Sequence, residues 1–207
     1  MLSFYGFRSG KNTTYCLVDL LEQITKSIDN GEFAITLFLD LSKAFDTVNH
    51  SIVLSKLSYY GIKGLENVWF KSYLRQRRQT VYVNGVFSDI QVIELGVPQG
   101  SVLGPILFLI CNDFSNASLN FSTRFFADDT SLTVCGKDLD SLIHHINIEL
   151  PKIYDWICAN KLTSNLTKTK YIVFQPRQKL NSNLHLPIAL AGPPLDHSSG
   201  VKYLSNY

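Results

Sequence analysis

Residues 125–132 read Phe-Phe-Ala-Asp-Asp-Thr-Ser-Leu. Two adjacent carboxylates, Asp128 and Asp129, follow an aromatic run and precede a β-rich run that continues to Cys135. This pattern predicts a β-hairpin with its turn at the acids. Asp is favoured in turns because its side chain can bond the backbone two residues on. One acid that closes the turn and one that faces solvent are therefore the structural alternative.

A third acid ends another β-type run. Residues 33–40 read Phe-Ala-Ile-Thr-Leu-Phe-Leu-Asp, and all but the last are apolar or β-branched. Such a run predicts a central strand that is buried on both faces, with Asp40 emerging at its end. If this strand lies beside the hairpin, Asp40 and Asp128 face each other and Asp129 lies next to them.

The three acids predict a metal site. Carboxylates that lie this close together repel one another unless a cation lies among them. Oxygen ligands without His or Cys favour Mg²⁺ or Mn²⁺ over zinc. A pair of such ions roughly 3.5 to 4 Å apart can activate a 3′-hydroxyl and stabilise a leaving pyrophosphate. We therefore expect two ions held by Asp40, Asp128 and Asp129, and metal-assisted nucleotidyl transfer.

Three segments of the chain, in this order, are Leu39-Asp40-Leu41-Ser42-Lys43-Ala44-Phe45-Asp46, Gly96-Val97-Pro98-Gln99-Gly100-Ser101-Val102-Leu103-Gly104-Pro105, and Phe126-Ala127-Asp128-Asp129. They resemble motifs A, B and C of reverse transcriptases, in particular those of jockey-like non-LTR retrotransposons. The resemblance runs from about Gly6 to Leu204. It implies an RNA-directed DNA polymerase that extends a DNA primer with dNTPs on an RNA template.

The resemblance also implies a nucleotide pocket. Phe45 matches the aromatic residue that lies under the incoming sugar and rejects ribonucleotides by blocking the 2′-hydroxyl. Pro98, Gln99, Gly100 and Ser101 match the loop that contacts the incoming nucleotide and the template base. The structural alternatives are core packing for Phe45 and an ordinary strand-to-helix connection for the loop. We assign Asp46 a structural role.

Two basic residues are further candidates by resemblance. Arg8, in a Gly-Phe-Arg segment, would contact template or phosphate, and a plain surface arginine is its alternative. Residues 165–169 read Asn-Leu-Thr-Lys-Thr and resemble motif D. The lysine of that motif protonates the departing pyrophosphate, so Lys168 is a candidate general acid, with simple solvation as the alternative.

The predicted fold is of the α+β class: a polymerase palm with an antiparallel sheet that carries the acids, backed by helices, with partial fingers and no thumb. Hydrophobic periodicity predicts the helices. Five helices are expected. The first begins at a cap on Thr13 or Thr14, the second covers Ser51 to Tyr60, and the third buries a face formed by Leu65, Val68, Trp69 and Tyr73. The fourth begins near Ile106, and the fifth covers Leu139 to Ile157. Pro151 should kink or divide the last of these. Asn84-Gly85 predicts a tight hairpin turn.

The expected organisation has three parts. Residues 1–32 form a fingers remnant and connecting helix, and residues 33–175 form the palm with a finger insertion at about 62–95. Residues 176–207 form a partial primer-grip region and tail, with β-type pieces at Leu184 to Ala191 and Val201 to Leu204. The finger strands that precede the Gly-Phe-Arg segment and the thumb are expected to be missing. This predicts a truncated retroelement reading frame that holds primer and template weakly.

Composition and charge indicate the general class of protein. The 207 residues are 45% hydrophobic and 17% charged, which predicts a globular protein, and the net charge of +2 does not by itself establish nucleic-acid binding. Arginines at 75, 77 and 78 and lysines at 161, 168 and 170 fit either a phosphate track or solvated helix ends. The four scattered cysteines predict buried thiols of an intracellular protein. No secretory signal or membrane span is predicted, and neither nucleus, cytoplasm nor oligomeric state is assigned.

Two alternatives to the polymerase stay open. The first is a non-catalytic retroelement remnant that folds and binds nucleic acid without polymerising. The second is an RNA-copying polymerase, which shares the palm and the paired acids. The Pro98-Gln99-Gly100 loop, together with Ala127 before Asp128, favours the reverse transcriptase over this second alternative.

Overall fold

The computed structural model describes residues 2–6, 10–41, 44–97, 111, 113–114, 116–118, 120–126, 129–180, 186–201 and 203. The chain divides into two compact units. Unit 1 comprises Met1–Ser42, Asp113–Ala159 and Thr163–Tyr207, and unit 2 comprises Lys43–Asn112 and Asn160–Leu162.

The described helices and strands, in chain order, are β1 (Leu2–Phe4), α1 (Thr13–Asp29), β2 (Phe33–Asp40), α2 (His50–Tyr59), α3 (Gly64–Leu74), β3 (Arg77–Gln79), β4 (Tyr82–Val83), β5 (Val86–Phe87), β6 (Gln91–Ile93), β7 (Ser122–Phe126), β8 (Asp129–Gly136), α4 (Leu139–Ala159), β9 (Lys170–Phe174), a short 3-10 helix (Arg177–Lys179) and β10 (Asp196–His197). Helices and strands do not alternate regularly: β3, β4, β5 and β6 follow one another, which fits the predicted α+β class.

The described part of unit 1 contains a six-stranded sheet with the order β1-β7-β8-β2-β9-β10. The four inner strands pair antiparallel, as predicted. The outer strands β1 and β10 pair parallel to β7 and β9, which was not predicted. A parallel neighbour requires a long connection, and residues 175–195 supply one between β9 and β10. The predicted central strand is confirmed, since β2 lies between β8 and β9 and its first seven residues are buried.

The predicted acidic hairpin is also confirmed. Strands β7 and β8 pair antiparallel, and Phe126 is the partner of Asp129 at the turn end of the ladder. Residues 127 and 128 connect the two strands along the chain. Both of them, and so the predicted metal ligand Asp128, lie outside the described residues.

Helix α1 covers one face of this sheet. Ala34 and Phe38 of β2 form a buried cluster with Leu20 and Ile24 of α1. The helix is capped by Asn12, whose side chain accepts a hydrogen bond of 2.9 Å from the Tyr15 backbone N–H. The predicted cap at Thr13 or Thr14 was therefore wrong by one residue or two.

Helix α4 lies on the opposite face. The Phe114 ring centroid is 4.9 Å from that of Phe125 in β7 and 4.9 Å from that of Trp156 in α4. Through Thr130, Phe125 is in register with Leu39 of β2, and neighbours in register share a sheet face. Leu39 and Phe38 are adjacent in β2, so their side chains point to opposite faces of the sheet. Phe38 packs against α1, and α4 therefore lies on the face of Leu39 and Phe125.

Pro151 does not divide α4, which is helical from Leu139 to Ala159. Of the predicted kink or division, the division was wrong. Proline inside a helix costs about 3 kcal/mol, whereas burying one large apolar side chain contributes about 1.5 to 3 kcal/mol. Ile146 and Leu150 on one side of the proline, and Ile153 on the other, are completely buried, so packing outweighs that cost.

Helix α3 of unit 2 exists as predicted, but its predicted buried face was wrong. The buried residues are Phe70 and Leu74, whereas Leu65 is 84% exposed and Val68 is 61% exposed. Apolar residues occupy both sides of this helix, so periodicity alone could not decide which side packs against α2.

A β-hairpin follows α3. Its strands, β4 and β5, turn at Asn84 and Gly85, whose φ angles of 51° and 85° fit the predicted tight hairpin. Strands β3 and β6, which flank this hairpin along the chain, pair antiparallel as a separate two-stranded sheet.

The predicted β-type piece at Leu184 to Ala191 forms no strand within its described residues, 186–191. Leu186, Ile188 and Leu190 are buried there nevertheless. The Tyr171 hydroxyl accepts from the Leu186 N–H at 3.0 Å and donates to the Leu186 carbonyl at 3.2 Å. A buried side chain therefore satisfies backbone groups that a strand ladder would otherwise pair.

Core packing of β2 predicts a large effect of Leu37→Ala. Leu37 is completely buried, so truncation should cost about 2 to 5 kcal/mol of unfolding free energy. Urea unfolding can be followed by Trp156 fluorescence in a Trp69→Phe background, which leaves one tryptophan in unit 1. Leu21→Ala is the matched control, because Leu21 is 56% exposed and should cost less than about 0.5 kcal/mol. Equal effects of the two variants would contradict the placement of β2 in the core.

Candidate active site

The ends of β2 and β8 bring together two of the three predicted acids. Asp40 is the last residue of β2, Asp129 is the first of β8, and the two are direct partners in the ladder. Directly opposite residues of antiparallel strands project from one face, with Cβ atoms about 4.5 to 5.5 Å apart. Asp129 thus occupies the position opposite Asp40 in which Asp128 was predicted.

The acid pair has the chemistry of a hard-cation site. Both side chains offer carboxylate oxygens, and 35% of the Asp40 side chain is exposed to solvent. Within the described ranges, no three His, Cys, Asp or Glu side chains come together as a metal-binding group. Asp128, the third predicted ligand, is outside those ranges.

Lys168 lies beside the acid pair. Its Nζ is 3.9 Å from Oδ2 of Asp40, and 69% of its side chain is exposed. Exposed ion pairs contribute only about 0.2 to 1 kcal/mol, whereas ordering a lysine side chain costs up to about 2 kcal/mol. The ion pair is therefore too weak to hold Lys168 in place, and the backbone of its loop must position it.

That loop is bonded to Asp40 itself. The Asn165 N–H donates to the Asp40 carbonyl at 2.8 Å, and the Asp40 N–H donates to Oγ1 of Thr169 at 3.4 Å. Neither Asn165 nor Thr169 was predicted as a site residue. The sequence signal for them is the Asn-Leu-Thr-Lys-Thr run, whose Asn and Thr side chains commonly bond nearby backbone groups.

The two acids and Lys168 line an open cavity of about 430 Å³, together with Lys170, Val201 and Tyr203. The Tyr203 ring lies 4.9 Å from that of Phe38, and its hydroxyl donates to Oγ of Ser131 at 3.3 Å. Burial raises the pKa of Tyr203 far above its usual value, and charge at Cys16 and Asp129 adds to the effect. Tyr203 therefore presents a neutral phenol beside the acids, a position that was not predicted for it.

In unit 2, the end of motif A pairs with the start of motif B. The Phe45 carbonyl accepts from the Val97 N–H at 2.7 Å, and the Val48 carbonyl accepts from the Gly96 N–H at 2.8 Å. Phe45 is half-buried. It therefore lies where the predicted nucleotide loop begins. The remaining predicted pocket residues, Pro98, Gln99, Gly100 and Ser101, lie outside the described residues, as does Arg8, the predicted template or phosphate contact.

Gly96 is required at this junction by close packing as well as by conformation. Its φ angle is +85°, and a Cβ on it would lie 2.6 Å from the backbone oxygen of Asp46. The exposed side chain of Asp46 takes no part in this contact. Asp46 thus acts here through its backbone, in line with a structural role.

Two members of the predicted arginine cluster line a cavity in unit 2. Arg77 and Arg78 border a volume of about 700 Å³ whose other side includes Gly96 and Val97. The Arg77 guanidinium lies 5.2 Å from the ring centroid of Tyr73. The cluster therefore adjoins the start of motif B.

The described cysteines are all free thiols. Cys16 and Cys111 are buried, as predicted, but Cys158 is exposed, and the prediction was wrong for it. It lies at the solvent side of α4, whose opposite side packs on the sheet. Within the described part of the chain, no helix is long and apolar enough to span a bilayer.

Sequence comparison decides the family. The family described as "Reverse transcriptase (RNA-dependent DNA polymerase)" matches residues 2–206. The chain belongs to the reverse transcriptase family.

Two curated relatives of this reverse transcriptase chain come from transposable elements of Drosophila melanogaster. The chain is 32% identical to a protein named "Probable RNA-directed DNA polymerase from transposon BS", over 97% of this chain and 23% of that protein. It is 28% identical to the RNA-directed DNA polymerase from mobile element jockey, over 97% of this chain and 22% of that protein. The chain thus spans less than a quarter of the length of these relatives.

Solved telomerase structures share the fold. The apo telomerase of Candida tropicalis matches with a TM-score of 0.53 and 14% identity, over 83% of this chain and 36% of that one. The telomerase of Candida albicans matches with a TM-score of 0.52 and 15% identity, over 91% of this chain and 33% of that one. The predicted palm, a sheet backed by helices, is confirmed at the level of the fold.

The contact at Gly96 predicts that Gly96→Ala destabilises unit 2 more than Gly85→Ala. Both glycines have a φ of +85°, but the space around Gly85 is open. Alanine in this region costs about 1 to 2 kcal/mol at either site, and the clash with Asp46 should add at least about 1 kcal/mol. Urea unfolding monitored by Trp69 fluorescence in a Trp156→Phe background measures the difference. Indistinguishable midpoints would argue against this packing.

Proposed function

We propose that this chain carries the catalytic centre of an RNA-directed DNA polymerase. It would transfer a nucleotidyl group from a dNTP to the 3′-hydroxyl of a DNA primer that is paired to an RNA template. The observation that carries the proposal is the register of Asp40 with Asp129 on one face of the sheet. Family membership supplies the reaction class, and the paired acids supply a place for it.

Asp40, Asp128 and Asp129 are the proposed ligands of two Mg²⁺ ions, with Mn²⁺ as the substitute. The carboxylate oxygens and solvent access of the described pair suit a hard cation that keeps some of its water. When bound, two such ions would activate the 3′-hydroxyl and offset charge on the leaving pyrophosphate. The protein would contribute the fixed positions of the acids and, through Lys168, a proton.

Lys168 is the proposed general acid. The primer 3′-oxygen attacks the α-phosphorus, and the bond from that phosphorus to the pyrophosphate oxygen breaks. The Lys168 ammonium gives its proton to the departing pyrophosphate, while the proton of the 3′-hydroxyl leaves to water. Solvent then reprotonates the lysine amine. The distance of 3.9 Å between Lys168 Nζ and Asp40 Oδ2 supports this assignment.

Phe45, Pro98, Gln99, Gly100 and Ser101 are the proposed nucleotide pocket. Support comes from the backbone bond between Phe45 and Val97, which joins the aromatic to the first residues of the loop. Phe45 would block the 2′-hydroxyl of a ribonucleotide. Arg8 is proposed to contact template or phosphate by family resemblance.

The proposed domains follow the same logic. Residues 1–32 would form a fingers remnant with its connecting helix, residues 33–175 the palm with a finger insertion at about 62–95, and residues 176–207 a partial primer-grip region. Val201 and Tyr203 line the cavity of the acids, which supports placing a primer terminus near them.

A second candidate function is nucleic-acid binding without polymerisation. Unit 2 carries eight Lys and Arg against four Asp and Glu, a net charge of +4, whereas the whole chain has only +2. This concentration of positive charge suits contact with phosphates. It would also serve template binding by an active polymerase, so activity has to separate the two functions.

Primer extension on an RNA template tests the acid site. The full chain with Mg²⁺ should incorporate dNTPs, and Asp40→Asn, Asp128→Asn and Asp129→Asn should each lower incorporation by at least about 100-fold, because each removes a charge that holds the ions. Asp89→Asn is the control, since it removes an exposed acid of unit 2. No incorporation by the unchanged chain, with RNA binding intact and salt-dependent, would instead support the second function.

Substitution of Phe45 tests the sugar gate. Phe45→Ala should raise ribonucleotide use relative to deoxyribonucleotide use by about 10-fold or more, because the ring would no longer clash with the 2′-hydroxyl. Phe45→Tyr keeps the bulk and should keep the preference. Competing rNTP and dNTP incorporation, measured as a ratio of kcat/KM, gives the answer. An unchanged ratio in Phe45→Ala would remove Phe45 from this role.

A further inference from the structure

We propose that Asn165 and Thr169 are positioning residues: they bond the loop that carries Lys168 to the backbone of Asp40 and so hold the Lys168 ammonium beside the Asp40 carboxylate. The proposal rests on the proposed polymerase function, in which Lys168 is the proton donor. It adds to that function the hydrogen bonds that keep the Lys168 ammonium close to the Asp40 carboxylate.

Both backbone groups of Asp40 are used by the loop. The Asp40 carbonyl accepts from the Asn165 N–H at 2.8 Å, and the Asp40 N–H donates to the Thr169 hydroxyl oxygen at 3.4 Å. A β-bridge between Leu41 and Ser164 lies next to the first of these bonds. The loop is therefore attached at both ends to the residue whose carboxylate it must face.

The loop is also closed on itself around the Asn165 carbonyl. That oxygen accepts from the Thr169 N–H at 2.9 Å, from the Thr169 hydroxyl at 2.9 Å and from the Lys168 N–H at 3.2 Å. The Asn165 side-chain oxygen accepts from the Thr167 hydroxyl at 2.7 Å. These bonds fix the backbone at Lys168, so the range of its Nζ is limited to what the side chain alone can reach.

Burial differs sharply between the lysine and its support. Thr169 is completely buried, whereas 69% of the Lys168 side chain is exposed. A buried hydroxyl with two partners resists displacement, because either lost bond would leave a polar group unpaired away from water. Thr169 thus supplies the rigidity that the solvated lysine lacks.

Thr169 also offers a clean substitution. Valine has nearly the same shape and the same β-branching, so Thr169→Val removes the hydroxyl with little change in volume. Thr169→Ser restores a hydroxyl. Thr133→Val is the matched control, since Thr133 is equally buried in the same sheet and its hydroxyl bonds Thr36 at 3.1 Å, away from the Lys168 loop.

Lysine NMR tests the positioning directly and does not depend on activity. The full chain is dimethylated on its lysines with ¹³C, and the Lys168 resonance is the one lost in Lys168→Arg. Asp40→Asn should shift this resonance in the otherwise unchanged chain and in Thr169→Ser. In Thr169→Val the shift caused by Asp40→Asn should fall to less than about half, because the ammonium no longer stays beside the carboxylate. An equal shift in both backgrounds would overturn the proposal.

Primer-extension kinetics test the consequence. Thr169→Val should lower kcat by about 10-fold or more with little change in the KM for dNTP, because a displaced general acid affects the chemical step. In a Lys168→Ala background the same substitution should have no further effect. Thr133→Val should leave kcat within about twofold of the unchanged chain. Additive losses from Thr169→Val and Lys168→Ala would contradict a role that acts through the lysine.

The two arms separate failure of this proposal from failure of the polymerase. A chain that never extends a primer, but shows the expected NMR behaviour, would refute the proposed function and keep the positioning of Lys168. If the chain is active but Asp40→Asn shifts the Lys168 resonance equally with and without Thr169→Val, the function is kept and the positioning is refuted.

Discussion

The pairing register of β2 with β8 is the constraint on which the candidate site depends. Successive side chains of a strand alternate between faces, so a slip of one residue would turn Asp129 away from Asp40. Burial opposes such a slip. Leu37 of β2 and its partner Leu132 of β8 are both completely buried, and a shift by one residue would turn the side chains of one strand to the other face. The packing of the central strands therefore keeps the acids opposite each other.

Backbone contacts to Asp40 also hold the loop that carries Lys168. The loop before β9 bonds its carbonyl and its N–H, which places a positive side chain beside the negative one without relying on a weak, exposed ion pair. Tyr203 packs on Phe38 and bonds Ser131 on the sheet near the acids, and its raised pKa keeps its phenol uncharged. In unit 2, an equally local arrangement ties Phe45 to Val97, with Gly96 as the residue that permits the close approach. Rigid strands and short bonded loops thus carry every described candidate residue.

Prediction succeeded where one physical signal dominated. The continuous apolar run of β2 and the Asn84-Gly85 turn each have few alternatives, and both were placed correctly. It failed where two effects of similar size compete. Apolar residues on both sides of α3 hid its buried face, and packing overrode the cost of Pro151 in α4. The buried residues around Leu186 looked like a strand, but the hydroxyl of Tyr171 satisfies the backbone of Leu186, and short-range backbone bonds satisfy Ile188 and Leu190.

The sequence by itself determined the family, and through its resemblance to reverse transcriptases it indicated the candidate site: three acids, an aromatic, a glycine-rich loop and a lysine. Residue type and spacing suffice for this, because they set which chemistry is available. Only the tertiary structure decided that Asp129 is the residue opposite Asp40, and that the Lys168 loop is bonded to Asp40 through Asn165 and Thr169. Those facts depend on strand register and on contacts between segments more than a hundred residues apart. Local sequence patterns do not encode them.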